Sequence, residues 1–128
     1  MQYAIDEAKN CDGEVPVGAV IIDKNGNIIG RGKNQMITKC DPTAHAEIEA
    51  IKNATAKIGK YRLIDCSIYV TLEPCQMCNF AIKLARIKNI YIGSQTKINT
   101  DNHKLIIYDN IMESQCSQLL HDFFKQKR

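Results

Sequence analysis

What is missing narrows this sequence first. No stretch of 18 consecutive apolar residues occurs in its 128 positions, so no segment reads as a transmembrane helix. The opening MQYAIDEAKN carries acids and lacks the apolar core of a signal peptide. The chain is therefore expected in the cytoplasm. Internal repeats, low-complexity tracts and linkers are absent too, so residues 1–128 read as one domain. Neither sign of charge dominates: the formal net charge is +3. The apolar share of 45% and the charged share of 24% are those of a globular domain.

What is present includes six cysteines: Cys11, Cys40, Cys66, Cys75, Cys78 and Cys116. Without a signal sequence, disulfides are not expected. Closely spaced cysteines then read as metal ligands or redox groups. Basic residues gather late: from Lys83 onward there are eight Lys/Arg against four Asp/Glu. That bias suits a polyanion, but it also suits a solvated helix end, where cations offset the helix dipole.

The periodicity predicts a short amphipathic helix over Met1–Cys11, with Ile5, Ala8 and Cys11 on one side. VGAVIID, from Val17, reads as a strand. Asn25-Gly26 signals a hairpin to a second strand through Ile28 and Ile29. Asn34 to Cys40 reads as a loop. Asp41-Pro42 marks a helix start, cap then first position, and that helix is expected to run to Ile58 and stop at Gly59. Cys66 to Leu72 is a β-rich run. Glu73-Pro74 opens another helix, expected to reach Lys88. NIYIGS from Asn89 and HKLIIYDN are further strands. Asn110 and Glu113 have capping-box spacing for a last helix, whose Leu119, Leu120, Phe123 and Phe124 recur as a core face, with one of the two phenylalanines expected inside. Strands alternating with helices of this length predict a three-layer α/β domain.

Two short words carry chemistry. In T-A-H-A-E, His45 and Glu47 lie two positions apart, which on a helix turns them roughly 200° from each other. A target beyond the helix start, near its axis, is still within reach of both. In P-C-Q-M-C, Cys75 and Cys78 lie one helical turn apart, at a helix start where free N–H groups favour thiolate. Two such starts would bring His45, Cys75 and Cys78 to one zinc ion. Three protein ligands are the catalytic zinc pattern, and Glu47 is then placed as acid and base. Other readings stay open for these residues: a redox Cys pair, or a structural zinc completed by a fourth ligand, for which Cys40 is nearest. H-x-E with P-C-x-x-C is, as a combination, the signature of the zinc deaminases of nucleobases.

D-P-T-A-H-A-E-I, Y-R-L-I-D followed by S-I-Y-V-T-L-E-P-C-Q-M-C, E-V-P-V-G-A-V and L-L-H-D-F-F-K-Q-K-R closely resemble the bacterial tRNA-specific adenosine deaminases. The likeness spans nearly the whole chain. It implies a cytidine deaminase-like fold, a mixed five-stranded sheet sandwiched by helices. It implies hydrolysis of the wobble adenosine of an arginine tRNA anticodon to inosine, with one zinc per subunit held by His45, Cys75 and Cys78, zinc-activated water, and Glu47 as proton shuttle. It implies a homodimer; no membrane partner is expected, since no long apolar run occurs. Asn34 would hydrogen-bond the nucleoside. Val15, Pro16, Val17, Ala46, Leu72, Glu73 and Pro74 would line the base pocket. Phe123, Phe124, Lys125, Lys127 and Arg128 would touch the anticodon loop.

The chain departs from that pattern after Gly93. The family's A-R-D-x-K-x-G is replaced by S-Q-T-K-I-N-T-D-N-H, Ser94 to His103, and the segment is shorter. That leaves open a zinc deaminase of a free nucleobase or nucleoside, such as guanine, cytosine or cytidine, and, from another class, a non-catalytic zinc-stabilised RNA-binding domain. Cys40 and Cys66 have no role in the resemblance and read as buried small apolar residues. His103 and His121 are not expected to bind metal.

Overall fold

A computed structural model describes residues 1–95 and 106–126. The elements run α1 (Gln2–Lys9), β1 (Gly18–Ile22), β2 (Ile28–Lys33), α2 (Ala46–Ile58), β3 (Ser67–Leu72), α3 (Gln76–Leu84), β4 (Asn89–Ser94), β5 (Ile106–Tyr108) and α4 (Glu113–Gln126). The five strands form one mixed sheet in the order β2-β1-β3-β4-β5. β1 is antiparallel to β2 and β3, whereas β3, β4 and β5 are parallel. The expected three-layer α/β architecture is the one observed.

The hairpin joining β1 and β2 is set by local chemistry. Asp23 Oδ1 accepts from the backbone N–H groups of Asn25 and Asn27, both at 2.9 Å. Gly26 takes the left-handed conformation at φ 83°, where a side chain is disfavoured. β1 is apolar throughout because, as a central strand, it is covered on both faces.

α2 covers β1 and β2 on one face and meets α3. Its Ala46, Ala50 and Ala54, all fully buried, sit one turn apart on the side facing the strands. The strands answer with glycine: a Cβ on Gly32 would meet the Ala46 carbonyl oxygen, and one on Gly30 the Ala50 carbonyl oxygen. Ile68, Ile82 and Ile90, each fully buried, fill the core of this layer. Each contributes about 1.5–3 kcal/mol relative to exposure. On the opposite face α1 packs on β1 to β3 and on α4. Here Tyr69, Tyr91 and Tyr108, register partners on three adjacent strands, stack in a row with centroids 4.3 and 4.7 Å apart.

Five expectations need correction. The second helix begins at Ala46, not at Pro42, because the Asp41 carboxylate accepts from the Thr43 N–H at 2.9 Å and hydroxyl at 2.7 Å. That local turn competes with a helix start. α3 stops at Leu84 rather than Lys88. Arg86, at φ 65°, turns the chain left-handed, and Ile87 N–H bonds the Ile82 carbonyl at 3.2 Å while Arg86 N–H bonds that of Lys83 at 3.0 Å. This is a Schellman ending made without glycine. α4 begins at Glu113, but Asn110 does not cap it: Asn110 and Met112 both have positive φ, and the Asn110 amide turns to Asp109. Along α4 only Cys116 is buried; Leu119, Leu120 and Phe123 are half-buried and Phe124 is exposed, so neither phenylalanine is core. α1 is also shorter than expected, ending before Cys11.

Candidate active site

The N-termini of α2 and α3 meet. His45 is the N-cap of α2 (φ −75°, ψ 154°) and Cys75 the N-cap of α3 (φ −69°, ψ 174°). Both are extended residues just outside their helices, and neither side chain caps its own helix. This resolves the geometry of T-A-H-A-E. His45 is not on the helix, so the turn of roughly 200° between helical positions two apart does not apply to it. Glu47, at the second helical position, comes to the same point from inside the first turn.

His45 Nδ1 lies 3.6 Å from Cys75 Sγ and 3.5 Å from Cys78 Sγ. A tetrahedral zinc with ordinary Zn–S and Zn–N bonds sets its nitrogen and sulfur ligands about 3.5 Å apart. The three donors thus stand at coordination spacing, all within 4.8 Å of one another. Cys40 is exposed, and among the described residues no fourth His, Cys, Asp or Glu joins the group. The reading of Cys40 as a buried small residue is also overturned, whereas Cys66 is buried.

Burial pushes the Cys78 thiol well up, and the Glu47 and Cys75 charges push it further. A thiolate there needs a cation beside it. Burial raises the Glu47 carboxyl to about 7, against the pull of its own backbone N–H and the Cys78 thiol. A carboxyl near 7 both takes and gives protons at neutral pH.

Asn34, buried at the end of β2, ties the surroundings together. Its Nδ2 donates to the Val15 carbonyl at 2.9 Å, and its Oδ1 accepts from the Ala46 N–H at 3.0 Å. Pro16, Val17, Ala46 and Pro74 are buried and Val15, Leu72 and Glu73 half-buried. The Glu73 N–H donates to the Ser94 carbonyl at 2.8 Å, fixing the turn from β3 into Cys75. Phe123, Phe124 and Lys125 lie on α4, across the sheet from α2 and α3, while Lys127, Arg128 and His103 lie outside the described residues, as does most of the Ser94–His103 segment. His121 is exposed on α4.

Glu14 was not among the expected site residues. It is buried, and its carboxylate accepts from the N–H groups of Ile37 at 3.2 Å and Thr38 at 2.9 Å and from the Thr38 hydroxyl at 3.0 Å. Its partners lie more than twenty residues away, so no local pattern announces it.

Comparison with known proteins places this arrangement. Residues 1–94 match the family model described as the cytidine and deoxycytidylate deaminase zinc-binding region. The chain is 43% identical to the tRNA-specific adenosine deaminase of Haemophilus influenzae, over all of this chain and 83% of that protein. It is 45% identical to the protein of that name from Buchnera aphidicola subsp. Baizongia pistaciae, over all of this chain and 88% of the other. A solved structure from work on A-to-I editing by tRNA:A34 deaminases superposes with a TM-score of 0.87 at 36% identity, covering 94% of this chain and 97% of that one.

Proposed function

The chain belongs to the cytidine and deoxycytidylate deaminase zinc-binding family, and on that premise we propose that it converts the wobble adenosine of a tRNA anticodon, that of an arginine tRNA, to inosine in the cytoplasm. The observation that carries this reading is the convergence of His45, Cys75 and Cys78 at coordination spacing beside the buried carboxyl of Glu47. Full-length likeness to proteins named tRNA-specific adenosine deaminases supports the substrate.

Adenosine and water give inosine and ammonia: a C6–O bond forms and the C6–N bond breaks. His45, Cys75 and Cys78 would hold one zinc ion. When bound, zinc supplies Lewis acidity that makes water nucleophilic near neutral pH. Glu47 manages the protons. Its carboxylate takes one from the attacking water and delivers it to N1 of the purine; a second goes to the amine as it leaves. The adenosine reaches this depth only when splayed from the loop, as single-stranded bases are. Asn34 keeps one Nδ2 hydrogen beyond its bond to Val15, and that hydrogen is available to the nucleoside. Val15 to Val17, Ala46 and Leu72 to Pro74 form the walls.

The exposed ring of Phe124 and the neighbouring Lys125 are the groups on α4 suited to stacking and phosphate contact. A homodimer accords with the outer side of α3, where Phe80 and Leu84 are 61% and 74% exposed; sedimentation of wild type against Leu84→Glu tests it.

The test of the function uses the zinc-loaded protein and an anticodon stem-loop with adenosine at the wobble position, digested and read by mass spectrometry. Inosine at that position, absent with Glu47→Ala, is the expected result. No inosine would overturn the reading and move the search to free guanine, cytosine and nucleosides.

A further inference from the structure

The segment between Asn34 and His45 is held from a distance. Its residues 36–39 form a single turn closed by the Lys39 N–H to the Gln35 carbonyl at 2.9 Å. The first N–H groups of such a turn have no partner within it. Those of Ile37 and Thr38 donate to the carboxylate of Glu14, at 3.2 and 2.9 Å. The Thr38 hydroxyl adds a further bond at 3.0 Å. Glu14 is only 2% exposed, so these donors replace water around its charge.

The same short stretch grips the site directly. The Val15 carbonyl takes the Asn34 side chain, and the Val17 carbonyl takes the Asn34 N–H at 3.2 Å. Asn34 in turn holds the Ala46 N–H at the start of α2. At the other end of the turn, Lys39 Nζ reaches Glu49 on α2 at 2.9 Å. One residue run, 14–17, therefore fixes both the side-chain amide offered to substrate and the loop that ends in the metal ligand His45.

We infer that Glu14 is a positioning residue: its buried carboxylate clamps the 36–38 turn and so sets the relative placement of Asn34 and His45. It touches neither substrate nor metal. Its effect on turnover rests on the deaminase reading above; its effect on the loop does not.

The test compares wild type with Glu14→Gln, which keeps the shape but faces N–H donors with an amide, and with Thr38→Val, which removes only the hydroxyl bond. Five quantities are read: zinc per chain, kcat and KM on the stem-loop, the visible spectrum of the cobalt-substituted protein, and native-state trypsin cleavage after Lys39. Glu14→Gln is expected to keep one zinc, lose about tenfold in kcat, shift the cobalt bands and be cut after Lys39 about tenfold faster. Thr38→Val keeps one zinc, lowers kcat and quickens cleavage after Lys39 by about threefold each, and decides the matter if Glu14→Gln does not fold. A soluble, zinc-loaded Glu14→Gln with kcat within about twofold of wild type overturns the positioning role, whatever trypsin does. Unchanged trypsin resistance and cobalt bands overturn the clamp itself. If wild type forms no inosine, the proposed function has failed, and the trypsin and cobalt results still decide the clamp.

Discussion

The two faces of the sheet use one packing device with opposite consequences. On one, α1 lies on the bare backbone of Gly18, where a Cβ would come 2.6 Å from the Ala8 nitrogen. On the other, α2 lies on Gly32, where a Cβ would come 2.5 Å from the Ala50 nitrogen. Among the described residues, the candidate metal group lies on the second face alone. The difference is chain direction. α2 and α3 bring their N-termini to the ends of β2 and β3, offering free N–H groups and positive dipole ends. α1 brings its C-terminus to that end, where Lys33 Nζ bonds the Asn10 carbonyl at 3.0 Å. Packing decides where a helix lies; direction decides what its end can attract.

Removing zinc should break the comparison most. A chelator should abolish deamination, and amide exchange should quicken at the starts of α2 and α3 while α1 keeps its protection; added zinc should restore both. Next comes Glu47→Gln. It should retain zinc and lose at least about 10²-fold in turnover, the usual scale for general acid–base catalysis. Near-normal turnover by the zinc-loaded variant would remove Glu47 from the mechanism.

Gly18→Ala and Gly32→Ala then form a matched pair. Each should cost about 2–3 kcal/mol in urea denaturation through overpacking. Only Gly32→Ala should also lower kcat, by about tenfold, because it displaces the turn of α2 that holds Glu47. Equal kcat for both would show that the two faces are not functionally distinct.

Acid should weaken one contact of the site face selectively. Burial raises the Glu14 carboxyl, but the Thr38 and Ile37 N–H groups and the Thr38 hydroxyl outweigh it and hold the group below its ordinary value. The unfolded chain thus binds the proton more readily. The resulting stability is fully present above the unfolded glutamate value of about 4.3, and is lost as pH falls through the lower folded value. Urea midpoints of wild type and Glu14→Gln should therefore converge below pH of about 4. A constant gap would mean the charge is not what the turn binds.

The smallest effects concern helix ends. Arg86→Gly should stabilise by about 0.5–1 kcal/mol and Gly59→Ala destabilise by about 1 kcal/mol, since both positions are left-handed but only one has glycine. Thermal melts of the two variants moving in the same direction would refute this account.

These helix ends also mark what was legible in the sequence. Gly59 announced the stop of α2, and Arg86 gave no such signal for α3. The zinc trio was legible because its ligands come as two short words at two helix starts. The exact start of α2 was not, because Asp41 serves as a helix cap or as a turn residue with equal ease. Thr43, two residues on, was the available hint of the turn. Glu14 was hidden by distance along the chain. The core expected along α4 failed because its apolar stripe meets the sheet mainly at Cys116, whose sulfur lies against Gly93.

The tyrosine row has a use unrelated to chemistry. The chain has no tryptophan and five tyrosines, and three of those lie face to face, their planes within 8° and 10° of parallel. Rings so placed absorb as a coupled unit, so the near-ultraviolet spectrum of this protein reports how β3, β4 and β5 are aligned. A slip of β5 by one residue would carry Tyr108 to the other side of the sheet and uncouple it. The face opposite the candidate site thus carries an optical gauge of strand register, readable without any label.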